Sequence, residues 1–386
     1  MSKQKKPILA NKFVIGCARA LYGKRYFSKK VQLVEDGTLS SIKTPCIIVA
    51  NHCSFADVGG LAYAMYPNVA NFVASQTQLV GKGVFLKIAG VLLKKQFTVD
   101  TSLIRDIKYV LSKGRNVVIF PEAKVSVVGT PNIVKPSIAK LIKMLKVPLV
   151  TVRFDGSYLH RPRWAKTKRF VPLVATAKVC VGQDEVGKLS ADEIYSRMME
   201  NLAYDDYAYQ LSNNIHIHDA KLVEGLESVL YKCPNCGSEF AMTSTGNTLT
   251  CKHCKSAVQM DSLGVLHGGK FAKVTDWYKW QTQCVAQEVE QGTYSFCGKF
   301  VAYKMAKNKF KQVGNATITH NGQGLHVQMQ NTSLFFKVGA FYTLSFENNA
   351  IYLPTEDAVY KFVINTDVGC TTKMNVAVEQ QSLILH

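Results

Sequence analysis

Residues 46–57, which read Cys-Ile-Ile-Val-Ala-Asn-His-Cys-Ser-Phe-Ala-Asp, decide the fold. The first five residues are apolar, which is typical of a buried strand. His52 and Asp57 follow at once, and an Asp five positions after a His can accept the ring N–H and make the imidazole a better base. Spacing alone also fits a surface His beside a capping Asp, since turns often contain both residue types.

Residues 116–124, Asn-Val-Val-Ile-Phe-Pro-Glu-Ala-Lys, repeat this design, because a short apolar strand again leads into a carboxylate and a cation. A helical segment and, at 147–152, another apolar strand follow. Strands in β-α-β order would bring His52, Asp57 and Glu122 to one edge of a sheet. The sequence therefore predicts an α/β fold with a mostly parallel sheet flanked by helices, and it favours His52 as a general base with Asp57 as its partner.

Three motifs carry a resemblance to a known family: N-H-x-S-x-x-D at 51–57, F-P-E at 120–122 and V-P-L-V-T-V at 147–152. With these motifs in this order and spacing, residues 45–152 resemble the glycerolipid acyltransferase family, which includes the 1-acylglycerol-3-phosphate acyltransferases. The resemblance implies transfer of a fatty acyl group from acyl-CoA or acyl carrier protein to a hydroxyl of a lysophospholipid in phospholipid biosynthesis. The expected acceptor is 1-acylglycerol-3-phosphate.

The same resemblance implies roles for individual residues. His52 would activate the acceptor hydroxyl, and Asp57 would orient His52. The residues that would form the acceptor site are Phe120, Pro121, Glu122 and, as the nearest cation, Lys124. Because a hydroxyl activated by His attacks the thioester directly, no acyl-enzyme is needed, and we interpret Cys53 as a small packing residue.

Two positions depart from the family pattern, in which F-P-E usually continues with G-T-R-S and the preceding V-D is followed by Arg. Here residues 123–126 are Ala-Lys-Val-Ser, and Thr101 stands after the V-D. Lys124 would offer an acceptor phosphate a point charge, without the bidentate fork of Arg. Other cations close in sequence are Lys94, Lys95, Arg105 and Arg153. A different lyso-lipid or glycerol-phosphate acceptor therefore stays open.

Four cysteines form a second motif, because Cys233-Pro-Asn-Cys236 and Cys251-Lys-His-Cys254 are two C-x-x-C knuckles. This spacing predicts a zinc ribbon with a structural, four-thiolate zinc site. A redox C-x-x-C normally begins a helix in a thioredoxin-like unit, and no such unit is recognisable here. His253 lies inside a knuckle and is interpreted as a spacer.

The charge of the chain favours anionic partners, since 47 basic and 27 acidic residues give a net charge of +20. A basic zinc-ribbon protein that binds nucleic acid is an alternative, but it leaves His52, Asp57 and the F-P-E turn unexplained. Another alternative is a relative that binds lipid without catalysis, because the residues after Glu122 differ from the family pattern. The seven remaining cysteines lack the spacing of a disulfide framework, which indicates a reducing compartment.

Four segments are predicted: a basic amphipathic membrane-contact segment at 1–30, an acyltransferase domain at 31–220, the zinc ribbon at 228–260 and a β-rich domain at 263–386. The alternative for the first segment is an ordinary helix packed on the core. Neither a secretory signal nor a run of about 18 to 20 apolar residues is found. We expect a cytoplasmic enzyme that is peripheral on the inner face of the membrane, next to its anionic surface.

Periodicity predicts helices at 8–26, from 55, at 102–112, at 136–145 and, behind a Ser190–Glu193 capping box, to about 211. Predicted strands lie at 45–50, 96–100, 117–120 and 147–152, with one long strand or a strand pair at 170–181. Short alternating runs after 263 predict antiparallel strands in a small barrel or sandwich, similar in fold to pleckstrin-homology-like modules.

Overall fold

The computed structural model describes residues 6–23, 31–35, 45–54, 56–75, 88–94, 100–169, 171–306, 309–364 and 366–385. The chain packs as two units. The first contains Met1–His160 with Phe170–Tyr209, and the second contains Arg161–Arg169 with Gln210–His386. The four-segment division stays a prediction.

The first unit is an α/β structure. Its elements in chain order are α1 (Lys12–Ala18), a π-helical segment (Arg19–Gly23), β1 (Val31–Glu35), β2 (Ile47–Ala50), α2 (Ala56–Ala64), β3 (Ala70–Ser75), β4 (Leu92–Lys94), α3 (Thr101–Ser112), β5 (Asn116–Ile119), α4 (Ser137–Leu145), β6 (Leu149–Asp155), α5 (Ser157–His160), β7 (Leu173–Val181), α6 (Ala191–Asn201) and α7 (Asp206–Ser212). The sheet has the strand order β1-β7-β6-β2-β5-β3-β4.

The sheet is mostly parallel, as predicted. Strands β6, β2, β5, β3 and β4 run in one direction, β7 is antiparallel to β6, and β1 is parallel to β7. Strand β2 lies in the middle, where Ile47 pairs with Val117 of β5 and with Leu149 of β6. The carboxyl ends of these strands therefore meet at one edge of the sheet.

Both faces of β2 are buried, which explains its unbroken apolar sequence. Ile47 and Val49 point into a cluster that includes apolar residues of α3, α4 and α6. Ile48 and Ala50 point into a second cluster, which includes Leu61 of α2. The strand is thus held between two apolar layers, and its carboxyl end is a rigid platform.

Most predicted elements of this unit are present, but strands β1 and β4 were not predicted, and neither was β3. It lies in an uncharged stretch where the sequence suggested only a helix from residue 55; that helix ends at Ala64, shortly before Pro67, which cannot continue it. The predicted strand at 96–100 falls outside the described residues except for Asp100, which caps α3 by accepting from the Leu103 N–H. Of the predicted helix at 8–26, the described part is helical only from Lys12.

The later elements also differ in detail. Residues 171–181 contain one strand, β7, rather than a strand pair. The capping box is present at the start of α6, where Ser190 and Glu193 bond reciprocally. The predicted single helix ends at Asn201, however, and α7 begins separately at Asp206. This break leaves Asp206 free to bond to loops of the sheet edge.

The second unit is rich in antiparallel strands. Its elements are a short 3₁₀ helix (Leu226–Ser228), β8 (Met242–Thr245), β9 (Thr248–Cys251), β10 (Ala257–Met260), β11 (Leu266–His267), α8 (Val274–Glu290), β12 (Ser295–Ala306), β13 (Lys309–Asn321), β14 (Gly324–Met329), β15 (Ser333–Lys337), β16 (Ser345–Glu347), β17 (Ala350–Pro354), β18 (Val359–Val363) and α9 (Cys370–Ile384). Four strands form the sheet β11-β10-β9-β8, and seven form the sheet β15-β14-β13-β12-β18-β17-β16. The antiparallel strands predicted after 263 are confirmed.

A partly buried ionic cluster joins three parts of the second unit. Lys373 of α9 is almost fully buried, and its Nζ lies 2.7 Å from Glu239 and 3.1 Å from Glu288 of α8. Lys232 lies 3.2 Å from Glu239 and 3.4 Å from Glu288. Two cations and two carboxylates therefore compensate each other, as buried charges must. The cluster ties the loop of the first cysteine knuckle to both helices.

Among the described residues, no helix combines the length and the apolar content needed to cross a bilayer.

Candidate active site

His52 follows β2, Asp57 lies in the first turn of α2, and the two side chains form a hydrogen-bonded pair. His52 Nδ1 lies 3.0 Å from Asp57 Oδ2. The Asp57 side chain is fully buried, whereas 16% of the His52 side chain is exposed. A bond from Nδ1–H to a carboxylate fixes the neutral tautomer in which Nε2 can accept a proton. The pair thus has the geometry of a general base and its orienting acid.

Asp57 is held by donors from the loop before α2 and from Ser157, the first residue of α5. The backbone N–H groups of Cys53 and Ser54 donate to Oδ2 over 2.6 and 2.8 Å. The Ser54 hydroxyl donates to Oδ1 over 3.2 Å, and the Ser157 hydroxyl donates to the same oxygen. These donors give both oxygens of the buried Asp57 carboxylate hydrogen-bond partners.

Glu122 connects the His52 loop to the turn after β5. Its Oε1 accepts the His52 backbone N–H over 3.0 Å, and its Oε2 accepts both N–H and Nδ2–H of Asn132 over 2.8 Å. In the other direction, Ser126 donates its N–H to the His52 carbonyl over 2.7 Å. Burial raises the pKa of Glu122 to about 7, and the same hydrogen bonds oppose that rise. Glu122 thus positions the backbone of His52.

The other predicted acceptor-site residues lie in this turn. The ring of Phe120 stands 4.6 Å from the His52 ring, measured between centroids. Pro121 is half-buried, and Lys124 is 7% exposed. Ala123 between them has a φ of 59°, so the turn reverses sharply. The turn therefore places the Phe120 ring against His52, and it buries Lys124 two residues before Ser126, which bonds to the His52 carbonyl.

The other cations considered from the sequence are arranged differently. Lys94 ends β4 at the same edge of the sheet, and burial lowers its pKa, with Lys135 adding to the effect and Asp100 opposing it. Arg153 of β6 is paired with Asp155, with 3.0 Å between Nε and Oδ2. Arg105 is exposed on α3, and Lys95 lies outside the described residues.

Cys53 is fully buried beside this pair. Burial raises the pKa of its thiol well above the ordinary value, and the nearby carboxylates of Asp206, Asp57 and Glu122 add to the effect. A thiol in such surroundings is a poor nucleophile, because the thiolate is the reactive form. These surroundings agree with a packing role for Cys53.

Three further residues at the site had no predicted role. Asn51 is buried and exchanges two hydrogen bonds with the backbone of Phe154, which join the end of β2 to β6. Ser157 bonds to Asp57, and Asp206 bonds to the backbone on both sides of Ser157. The edge of the sheet where β2, β5 and β6 end, next to His52, is called the active edge below. Ser157 follows a predicted strand that ends at this edge, and this position is the signal in the sequence that could have indicated its role. Nothing local in the sequence indicates Asp206.

The four cysteines of the C-x-x-C motifs come together in the second unit. Their sulfur atoms lie within 4.8 Å of one another, with 3.7 Å between Cys233 and Cys254 and 3.8 Å between Cys236 and Cys251. Four thiolates at about 2.3 Å from one zinc would stand about 3.8 Å apart. The donor set and its spacing therefore fit a tetrahedral metal ion.

The two knuckles have the same backbone design. Cys233 and Cys251 donate their N–H groups to Ser238 and Ser256 over 2.9 Å. Their carbonyls accept from Gly237 and Lys255, which both have a positive φ, 75° and 63°. Such turns wrap the backbone around a point between the two sulfur atoms of each knuckle.

Two comparisons with known proteins found similarities to acyltransferases. Among solved structures, the chain is similar to the 1-acyl-sn-glycerophosphate (LPA) acyltransferase PlsC from Thermotoga maritima, with 22% sequence identity and a TM-score of 0.40, over 49% of this chain and 76% of that chain. A family model described as Acyltransferase matches residues 21–155. The matched region contains His52, Asp57 and the Phe120–Lys124 turn, and this match supports an acyltransferase domain in the first unit.

Proposed function

We propose that this chain is an O-acyltransferase that moves a fatty acyl group from acyl-CoA or acyl carrier protein to a hydroxyl of a lysophospholipid. The proposed acceptor is 1-acylglycerol-3-phosphate, and the proposed role is phospholipid biosynthesis. The observation that carries this proposal is the His52–Asp57 pair at the active edge, inside the region that matches the acyltransferase family model.

The proposed acyl transfer has two steps, an addition to the thioester carbonyl and an elimination of the thiolate. His52 Nε2 takes the proton of the acceptor hydroxyl while its oxygen attacks the thioester carbonyl. The tetrahedral adduct collapses, the C–S bond breaks, and the imidazolium returns the proton to the leaving thiolate. Asp57 stabilises the imidazolium through Nδ1, as the Asp of a Ser-His-Asp triad does. The buried thiol of Cys53 takes no part.

The acceptor site is proposed to consist of Phe120, Pro121, Glu122 and Lys124. Both carboxylate oxygens of Glu122 already accept protein donors, so its proposed role is to hold the acceptor loop in place. Lys124 is the proposed phosphate contact, because it follows Glu122 by two residues. Lys94 stands at the same edge, two strands away from β5, or about 10 Å. It is a second candidate cation for an extended acceptor.

The amino-terminal segment is proposed to contact the inner face of the membrane from the cytoplasm. Helix α1 buries none of its residues, and Phe13 is 78% exposed. Ile8 and Leu21 are also exposed, and Lys6 and Lys12 lie among them. Exposed apolar residues with neighbouring lysines suit an anionic interface. Such a contact would bring the active site to its lipid acceptor.

Zinc is proposed as a structural ion of the second unit, held by Cys233, Cys236, Cys251 and Cys254. Four protein thiolates fill a tetrahedral site and leave no position for a substrate. The acyl transfer described above needs a base and no Lewis acid. The proposed contribution of zinc is therefore folding free energy.

Replacing His52 tests the proposed function directly. His52→Ala should lower the rate of thiol release from acyl-CoA, with 1-acylglycerol-3-phosphate as acceptor, by about two to four orders of magnitude. The exposed His218 supplies the matched control, and His218→Ala should keep the full rate. A His52→Ala protein with a near wild-type rate would refute the mechanism.

Replacing Lys124 tests the acceptor phosphate. Lys124→Ala should lower kcat/KM about tenfold or more for 1-acylglycerol-3-phosphate, since a charged hydrogen bond contributes about 1.5 to 3 kcal/mol. It should affect an uncharged monoacylglycerol less, and the ratio between the two acceptors corrects for any loss of folded protein. Lys140→Ala on the exposed face of α4 is the control. An equal loss for both acceptors would show that Lys124 does not hold phosphate.

Membrane contact is tested by vesicle sedimentation. A Phe13→Ser, Leu21→Ser double variant should bind anionic phosphatidylglycerol vesicles about tenfold more weakly, because it removes exposed apolar surface from the interface. Val313 is about half exposed on the second unit, so Val313→Ser controls for a general loss of hydrophobicity. Equal binding by the double variant and the wild type would exclude this contact.

Metal content tests the zinc proposal. Protein purified without chelator should contain about one zinc per chain by elemental analysis. Cys233→Ser should lower both the zinc content and Tm, whereas Cys297→Ser, which changes an exposed cysteine on β12, should lower neither. Wild-type protein without zinc, or a Cys233→Ser variant with unchanged Tm, would contradict a structural ion.

A further inference from the structure

Ser157 reaches the catalytic pair from a distant part of the chain. It is the first residue after the Gly156 turn that follows β6, and its side chain is fully buried. Its hydroxyl donates to Asp57 Oδ1 and lies 2.8 Å from the Ser54 hydroxyl. Oδ1 is the carboxylate oxygen that does not face His52. Ser157 thus holds the far side of the carboxylate.

Ser54 makes a similar contact but lies only three residues before Asp57, in the loop that leads into α2. Its hydroxyl also accepts the Ala56 N–H over 3.1 Å, so it is part of the local start of α2. Ser157 stands 100 residues away in sequence. It is therefore the hydroxyl that ties the carboxylate to the end of another strand of the sheet.

Asp206 fixes the turn that presents Ser157. Its Oδ1 accepts the Gly156 N–H over 3.0 Å, and its Oδ2 accepts the Tyr158 N–H over 2.7 Å. The residues on both sides of Ser157 are thus bound by one buried carboxylate. Gly156 has a φ of 78°, and a Cβ there would stand 2.6 Å from the Pro172 carbonyl, so the turn leaves no space for a side chain.

We propose that Ser157 is a positioning residue for the His52–Asp57 pair and that Asp206 is the clamp that holds it there. This inference rests on the proposed acyl transfer. The Ser157 hydroxyl stops rotation of the Asp57 carboxylate and keeps Oδ2 on His52 Nδ1. It also withdraws charge from the carboxylate, and so it sets how firmly Asp57 holds a proton on the imidazole.

Removal of the hydroxyl should change the rate and its pH dependence together. Ser157→Ala should lower kcat about ten- to a hundredfold with little change in the acceptor KM, the size expected for one hydrogen bond to a charged group. Asp57 would then hold the imidazolium proton more firmly, so the acid limb of the kcat/KM profile should move to higher pH. Ser157→Thr keeps a hydroxyl and should restore much of the rate.

The controls separate positioning from stability. Ser190→Ala removes the capping hydroxyl of α6 in the same unit and should lower Tm without moving the pH profile. Asp206→Asn cannot accept both backbone N–H groups and should reproduce the Ser157→Ala shift in the acid limb. In the part of the chain that the structure describes, the other titratable groups around the site include Cys53, Glu122, Asp155, Tyr204 and Asp206, and the Ser157 variants leave all of them unchanged.

A readout without turnover keeps this inference distinct from the proposed function. The His52 ring can be titrated by NMR in protein with nitrogen-15 histidine, with His52→Ala to assign its signals. Ser157→Ala should move this titration to higher pH, whether or not any acceptor is turned over. Absence of thiol release from the wild type would overturn the proposed function alone. An unmoved His52 titration, or activity lost only in proportion to Tm, would overturn the role of Ser157.

Discussion

The buried carboxylate of Asp57 is the constraint on which the active edge depends. A buried charge without partners costs several kcal/mol, so a fold can keep Asp57 only if it surrounds the group with donors. Two of these donors are backbone N–H groups, which fixes the path of the chain after His52. Another comes from Ser157, which requires the ends of β2 and β6 to be neighbours. The parallel sheet meets that requirement, because it aligns the carboxyl ends of its strands.

Glu122 and Asp206 extend the same principle, since each binds backbone N–H groups of segments that are distant in sequence. Burial raises the pKa of Glu122 to about 7 and that of Asp206 to about 8, so their hydrogen bonds do not fully compensate the loss of water. The first unit thus gives up some stability to hold its loops in one arrangement. Such a cost is typical of catalytic sites, where fixed geometry matters more than stability.

Local sequence predicted that His52, Asp57 and Glu122 lie close together, because His52 and Glu122 each follow a short apolar strand and β-α-β order places such strand ends together. It did not identify β3, whose sequence Ala-Asn-Phe-Val-Ala-Ser contains one β-branched residue and a buried Asn71 that bonds to other loops. It also gave no role to Asp206, because its partners lie 48 and 50 residues away and no spacing rule connects them. The sequence thus predicts the order of the strands and the residues at their ends. Hydrogen bonds between loops that are distant in sequence form only in the packed structure, and local patterns do not predict them.

At the two positions where the family pattern has Arg, this chain has Thr101 and Val125, so the proposed contact with an acceptor phosphate rests on Lys124. Arg presents a planar fork that matches two phosphate oxygens, whereas Lys124 offers one compact charge that many orientations of an anion can share. Burial also favours the neutral form of a lysine, as the lowered pKa of Lys94 illustrates. An acceptor held in this way would be oriented mainly by its glycerol and acyl parts against Phe120 and the fixed loop of His52. Under the proposed function, the precision of the site would come from the buried carboxylates that hold His52, and not from the cation that would contact the headgroup.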